Sequence, residues 1–440
     1  MGAGLVMTAA KRSRVRLLIV TMLFIATTIN YADRATLSIA GPSLAKDLGL
    51  DAVSMGYVFS AFAWSYVLAQ LPGGWLLDRY GAKWVYAAAI FLWSTFTLMQ
   101  GAVGFFTGFA AVAVLFSLRL LVGLAEAPVF PANARITAAW FPTSERGTAS
   151  AFFNSSQYFA TVLFTPLMGW VVHHYGWHHV FTLMGALGIA FALLWTQVIH
   201  GPKDHPGINQ AERDYIEEGG ALLDMDGRGA SAPADAGRTI KQLLSNRMLL
   251  GIYIGQYCIT TLTYFFLTWF PVYLVKERGL SILQAGFAAV LPALCGFIGG
   301  ILGGWLSDLL LKRGWSLTAS RKIPIVGGML LSMSIIGCNY VQADAVVIGL
   351  MALAFFGKGI GALGWAVVSD TSPRSTGGLN GGLFNTFGNT AGITTPIAIG
   401  YIVQQTGSFN GALVFVGLNA LVAVFCYLVI VGEIKRVELR

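Results

Sequence analysis

Charge is what this sequence has least of. Only 11% of its 440 residues are Asp, Glu, Lys or Arg, against about 25% in soluble proteins. With 56% hydrophobic residues, that excludes a soluble globular class and leaves an all-α polytopic membrane protein. Cysteine is scarce too. Cys258, Cys295, Cys338 and Cys426 lie singly in apolar runs, without the spacing of a disulfide framework or a metal site, and read as small buried hydrophobes. His173, His174, His178 and His179 cluster, but no acid or cysteine joins them, so no metal is expected. No nucleophile–base pair appears, and the chain is not expected to be an enzyme. The net charge of +8 sits in short loops between apolar runs, which argues against a nucleic-acid partner.

What is present is a series of long apolar runs. A span needs about 20 mostly apolar residues, and twelve runs qualify, starting near Leu17, Met55, Trp84, Phe109, Gly147, Val180, Leu249, Leu283, Ile323, Ala345, Gly377 and Phe409. The expected organisation is a tail over 1–16, a six-helix bundle over 17–199, a linker over 200–247, a second six-helix bundle over 248–432 and a tail over 433–440. The basic stretch Lys11-Arg12-Ser13-Arg14-Val15-Arg16 precedes a run too long for a signal peptide, so the first span is expected to be retained. In the linker, Asn209 and Glu212 match a capping box, and a surface helix through Glu218 is expected. Lys and Arg crowd the loops on the side of the termini, while the other side holds only Lys46, Lys276 and Arg278. The positive-inside rule then places both termini and the linker in the cytoplasm.

The chain repeats itself. Gly73-Gly74-Trp75-Leu76-Leu77-Asp78 after the second run returns as Gly303-Gly304-Trp305-Leu306-Ser307-Asp308 after the eighth, each followed by a short basic loop. A six-span unit used twice is the mark of transporters that rock one half against the other around a central site. Gly299/Gly303 and Gly300/Gly304 fit close helix packing.

The few charges inside the runs point to that site, because an ionised side chain at bilayer depth costs about 3 kcal/mol even on insertion scales. Asn30, Tyr31 and Arg34 share one helix face, with Asp33 about 100° away. On the fourth run, Arg119 and Glu126 are seven residues apart on one face. Asp33 is the expected partner of Arg119, and Glu126, in apolar company, is a plausible proton carrier. Tyr66, Gln157 and Gln256 are polar groups that spacing alone assigns to interhelical hydrogen bonds as readily as to a ligand.

Longer stretches carry a resemblance. Gly74-x-Leu76-x-Asp78-Arg79-x-Gly81-x-Lys83 resembles the loop signature of the major facilitator superfamily. The second copy keeps Asp308 but loses the counterpart of Gly81. Tyr31-x-Asp33-Arg34, Met55 through Trp64, Glu126-Ala-Pro128, Trp140-Phe-Pro142 and Trp269-Phe-Pro271 together resemble its anion:cation symporter branch, over nearly the whole chain. Gly357 through Trp365 and Gly381 through Asn385 look most like bacterial proton symporters of the glucarate/galactarate type, with galactonate transporters also similar.

The resemblance implies the major facilitator fold, with twelve transmembrane helices in two pseudo-symmetric six-helix bundles, in the bacterial inner membrane. It implies substrate contacts at Tyr31, Arg34, Tyr66, Gln157, Gln256, Trp365 and Asn385. Proton handling is implied at Asp33 and Glu126 with Arg119, and gating at Asp78, Arg79 and Asp308. The expected cargo is a sugar-acid dianion, the coupling ion a proton, no other cofactor is involved, and the monomer is the expected functional unit.

Lys358, alone midway along the tenth run, shares a face with Ala362 and Trp365. It is expected to hold the second carboxylate of an aldarate whose first is held by Arg34. A purely structural pair with Asp370 would span twelve residues, about 18 Å of helix. A dianion entering a negative compartment alone faces about 4.6 kcal/mol at 100 mV, and two protons neutralise it. Asp33 and Glu126 are the two carboxyls that could carry them. The alternatives are a symporter for galactonate, a hexuronate or an aromatic acid, and a transporter-like sensor, which would be expected to carry an added signalling domain or tail.

Overall fold

The computed structural model describes residues 12–142, 145–223, 236–373 and 377–438. In lipid every backbone N–H and C=O needs a partner within the protein, so each apolar run closes into a helix. The first half comprises α1 (Val15–Leu48), α2 (Ala52–Tyr80), α3 (Ala82–Phe105), α4 (Gly108–Trp140), α5 (Arg146–Tyr175) and α6 (Trp177–Val198). The second comprises α7 (Arg247–Lys276), α8 (Ile282–Lys312), α9 (Leu317–Tyr340), α10 (Asp344–Thr371), α11 (Gly377–Thr406) and α12 (Asn410–Ile430). The largest displacement from the sequence-based starts is at α9, which begins at Leu317 instead of Ile323 because the helix runs past the apolar stretch through Arg321 and Lys322.

Ten of these segments are apolar enough to cross a membrane by length and composition. The other two, α5 and α11, are 30 residues each but studded with Asn, Gln, Ser and Thr. They occupy the same place, fifth, in each half. Polar residues there are affordable because both helices meet the opposite half: α5 packs on α8, and α11 on α2.

Several spans depart from a continuous α-helix, among them α4, α7 and α10. In α4 the helix breaks at Ala127–Pro128, directly after Glu126. In α7, Pro271 lacks the N–H an α-helix needs, and the chain widens into a π-helical turn over Phe265–Trp269. In α10 the helix lapses around Gly361–Leu363. The close approach of α8 and α10 uses the glycines singled out above: a Cβ on Gly299 would stand 2.2 Å from the Phe356 carbonyl oxygen, and one on Gly303 2.3 Å from that of Ile360.

The halves meet at one end. Where α1–α2, α7–α8 and α11–α12 turn, a Cβ on Gly56 would lie 2.7 Å from the Pro396 carbonyl oxygen, Tyr57 and Tyr401 hydroxyls are 3.3 Å apart, and Ala52 N–H donates to Gln404 at 3.3 Å. The Phe59 and Trp269 rings meet edge-on at 5.3 Å. Among the described residues, no hydrogen bond or ion pair joins the halves nearer the chain termini than Asn385 to Gln70. The polar contacts between the halves gather on the loop side, away from the chain termini.

The first part of the linker is welded to the first half. Asn209 caps the helix Gln210–Glu218 by accepting from Glu212 N–H at 3.0 Å. The reciprocal half of the expected capping box is absent, because Ser13 Oγ takes the Asn209 N–H at 2.9 Å. Glu212, fully buried, caps α1 instead. It accepts from Ser13 Oγ (2.6 Å), Val15 N (3.0 Å), Arg16 N (3.3 Å) and Arg16 Nη1 (3.0 Å). A carboxylate there meets both the orphan N–H groups and the positive end of the helix dipole. Arg16 also pairs with Glu145 at 3.2 Å, and Tyr215 donates to Glu145 at 2.5 Å. This tie joins the start of α1, the α4–α5 turn and the linker.

Candidate functional site

The charged residues of α1 and α4 converge inside the first half. Asp33, Arg34, Arg119 and Glu126 are all buried. Arg34 Nε donates to Glu126 Oε2 at 2.9 Å, the side chain of Glu126 being wholly inaccessible. The guanidinium is boxed by aromatic rings, with Cζ 4.5 Å from the Phe62 ring centre, 5.0 Å from Tyr66 and 5.2 Å from Tyr31. Phe62 and Tyr66 are stacked at 5.2 Å, and Arg119 Cζ lies 5.7 Å from the Phe62 ring centre. Such faces attract a desolvated cation, so the box holds Arg34 in place whatever anion it binds.

This pairing differs from the sequence-based expectation. Arg119 and Glu126, two turns apart on one helix, are separated by about 10 Å along the axis, and Arg34 reaches the carboxylate from the neighbouring helix instead. The expected Asp33–Arg119 contact is not an ion pair: among the described residues no carboxylate oxygen lies within ion-pairing distance of Arg119. Asp33 and Glu126 are nonetheless the acids it faces. Arg34 Nη2, Arg119 Nε and Nη1, Asp33 Oδ2, Glu126 Oε1 and both polar atoms of the Asn30 amide have no hydrogen-bond partner among the described residues. Buried polar atoms left so cost about 1–3 kcal/mol each. Their concentration here marks a site prepared for a polar guest.

A second cluster belongs to α7 and α11. Tyr264 Oη donates to Asn389 Oδ1 (3.0 Å), Asn389 Nδ2 to Asn385 Oδ1 (3.0 Å), and Asn385 Nδ2 to Gln70 Oε1 (3.1 Å). This chain crosses from the second half to α2, where Gln70 adjoins Tyr66. Tyr264 lies within electrostatic reach of Arg34, Tyr66 and Tyr31, so the two clusters face one another. Gln256 donates to Thr260 at 3.1 Å and lies against Gly364 and Gly388. Trp365, 56% exposed, meets Phe384 edge-on at 5.1 Å.

The structure thus brings together Tyr31, Asp33, Arg34, Tyr66, Arg119 and Glu126, with Gln256, Trp365 and Asn385 on the opposite wall. Gln157 is half-buried on α5, and its amide donates at 3.3 Å to Asn154 of its own helix. Lys358 is buried, with Nζ 5.2 Å from the Phe355 ring centre. Asp370 is engaged by Arg321 at 2.8 Å, which removes it as a partner for Lys358. Of the expected gating residues, Asp308 lies 3.8 Å from Arg321, and exposed Arg79 rests over Trp75 and Tyr80 at 5.3 and 5.5 Å. The Asp78 side chain lies outside the described residues. Phe62, Gln70, Tyr264 and Asn389 were not singled out from the sequence. Asn389, one turn beyond Asn385, and Gln70, a lone amide late in an apolar span, carried a signal; two aromatics among many did not.

Comparison with known proteins accords with this arrangement. The family model of the Major Facilitator Superfamily matches residues 23–335. The chain is 65% identical over 433 residues to a probable galactarate/D-glucarate transporter of Bacillus subtilis strain 168, covering 98% of this chain and 95% of the relative. It is 63% identical to a protein of the same description from Escherichia coli strain K12, covering 98% and 96%. A D-galactonate transporter of Escherichia coli O6:H1 is 43% identical, covering 98% of each. Among solved structures, the fold is similar to a D-xylose-proton symporter (TM-score 0.70, 15% identity, 95% of this chain and 98% of that one). It is also similar to an inward-facing bacterial homolog of the human lysosomal transporter Spinster (TM-score 0.69, 18% identity, 96% of each). The twelve-helix architecture, the repeated halves and these matches make the chain a member of the Major Facilitator Superfamily.

Proposed function

We propose that this protein carries sugar-acid dianions of the glucarate and galactarate type inward across the bacterial inner membrane, coupled to protons, by alternating access. The observation that carries the reading is the buried Arg34–Glu126 contact at 2.9 Å inside its aromatic box. Arg34 is the anion site nearest the interface of the halves, and an internal carboxylate already occupies it. A substrate carboxylate takes that place when Glu126 is neutralised by a proton, because an anion approaching the pair otherwise meets like charge. Protonation then precedes or accompanies binding, and the second carboxyl, Asp33, supplies the other proton through its field on Arg119. Two protons cancel the charge of the dianion and remove the opposing membrane potential, about 4.6 kcal/mol at 100 mV. The amides of Gln256, Asn385 and Asn389 and the phenol of Tyr264 suit the hydroxyls along the sugar chain.

The relatives named as galactarate/D-glucarate transporters support the substrate class. The orientation follows the basic loops: both termini and the linker face the cytoplasm, so the side on which the halves make their polar contacts faces outward. The monomer contains the whole site and is taken as the working unit. The test is uptake of labelled glucarate, galactarate and galactonate into proteoliposomes with and without an imposed pH gradient, interior alkaline. Uptake of the two aldarates driven by the gradient supports the reading. Uptake insensitive to the gradient refutes proton coupling, and uptake of none of the three refutes the substrate class.

A further inference from the structure

At mid-span depth the first half is balanced: Arg34 and Arg119 against Asp33 and Glu126. The second half is not. Lys358, 7% exposed, is the cation of its interior, and among the described residues no carboxylate pairs with it and no other charged group acts on it. It lies fourteen residues from one end of α10 and thirteen from the other, about 20 Å along the axis, so its ammonium cannot reach either membrane surface. A lone charge held at that depth needs a wet cavity or a counter-ion.

The direction in which it points is fixed by its neighbours on α10. Gly357 packs on Gly328 of α9, and Gly359 on Gly296 of α8. Phe355, one turn before Lys358 on the remaining face, meets Phe266 of α7 at 4.3 Å and Tyr158 of α5 at 6.5 Å. Tyr158 in turn lies within electrostatic reach of Tyr31, whose ring centre is 5.2 Å from the Arg34 guanidinium. Lys358 therefore looks from the second half into the space that Arg34 looks into from the first.

We propose that Lys358 is the second carboxylate site, and that it makes this transporter selective for dicarboxylates over monocarboxylates with the same carbon skeleton. A dianion bridging Arg34 and Lys358 would tie the two halves together across the substrate. A monoanion leaves Lys358 buried and unmatched, and that penalty is the basis of rejection. The inference rests on the sugar-acid reading of the central site.

The experiment compares D-glucarate with D-gluconate, in which a hydroxymethyl group replaces one carboxylate. Dissociation constants are measured on the reconstituted wild type, Lys358→Gln and Lys358→Arg. The wild type is expected to prefer glucarate, and Lys358→Gln to lose about 10- to 100-fold in glucarate affinity with gluconate little changed. Lys358→Arg is expected to keep the preference. A Gln variant that weakens both ligands equally, or neither, overturns the proposal. The wild type alone also decides: equal binding of glucarate and gluconate overturns the Lys358 assignment and leaves the sugar-acid reading standing. Binding of neither overturns that reading and this inference with it.

Discussion

The two halves share a fold and divide the chemistry. The first half holds acids and bases in its interior, packed as Arg34–Glu126 with Arg119 and Asp33 beside them. The second holds amides, hydroxyls, aromatics and one lysine, strung as Tyr264–Asn389–Asn385. Duplication supplies the scaffold, including two equivalent polar helices, α5 and α11, and two helices, α2 and α8, that end in Gly-Gly-Trp-Leu-x-Asp stretches. It does not supply symmetric function. Among the described residues the buried carboxyls of the interior, Asp33 and Glu126, lie in the first bundle beside Arg34, while the second bundle sets neutral amides and hydroxyls around the single ammonium of Lys358.

That division is open to attack, starting where the effect should be largest. Arg34→Ala removes the partner of fully buried Glu126 and the anion site at once. Breaking a buried charge pair costs about 2–5 kcal/mol, so aldarate uptake should fall by roughly 100-fold or more. Retained uptake would show that the first half does not hold the substrate anion. Gly56→Val probes the seam between halves, because its Cβ has no room against the Pro396 carbonyl. Overpacking of about 1–3 kcal/mol should block closure on the loop side. Net uptake should drop about tenfold, with glucarate still binding the solubilised protein and cysteines engineered along that seam more reactive.

Glu212→Ala tests whether the linker helix belongs to the first half. Leaving the first turn of α1 uncapped should lower unfolding stability in detergent by about 1–3 kcal/mol without altering substrate KM; unchanged stability would make the linker a passive tether. Smallest of all, Asn385→Ala cuts the one described hydrogen bond between halves at the site. Interhelical hydrogen bonds in membranes average about 0.6 kcal/mol, so KM for glucarate should rise roughly threefold. A loss as large as that of Arg34→Ala would erase the contrast between the halves.

Much of this was legible in the sequence, and the reasons are physical. Apolar runs must become helices in lipid, so the twelve spans could be counted directly, even where α5 and α11 dilute their hydropathy with amides. The intramembrane charges announced the site because lipid tolerates them nowhere else. Pairing between them was not legible. Helical spacing relates Arg119 to Glu126 and says nothing about Arg34 reaching across from α1, which depends on how two helices cross. Glu212 shows the same limit: the helix start at Asn209 was legible, yet the carboxylate expected to close its capping box serves a helix about two hundred residues earlier in the chain. Aromatic neighbours such as Phe62 and Tyr264 gain meaning only from what they face.

In the proposed mechanism substrate and Glu126 alternate on Arg34, so that anion binding draws a proton onto the protein. The direct measurement is proton uptake when D-glucarate is added to the solubilised protein in weakly buffered solution, for the wild type and for Glu126→Gln. Alkalinisation that saturates with binding in the wild type and shrinks in Glu126→Gln is the expected result. Saturable glucarate binding by the wild type with no change in pH would contradict it.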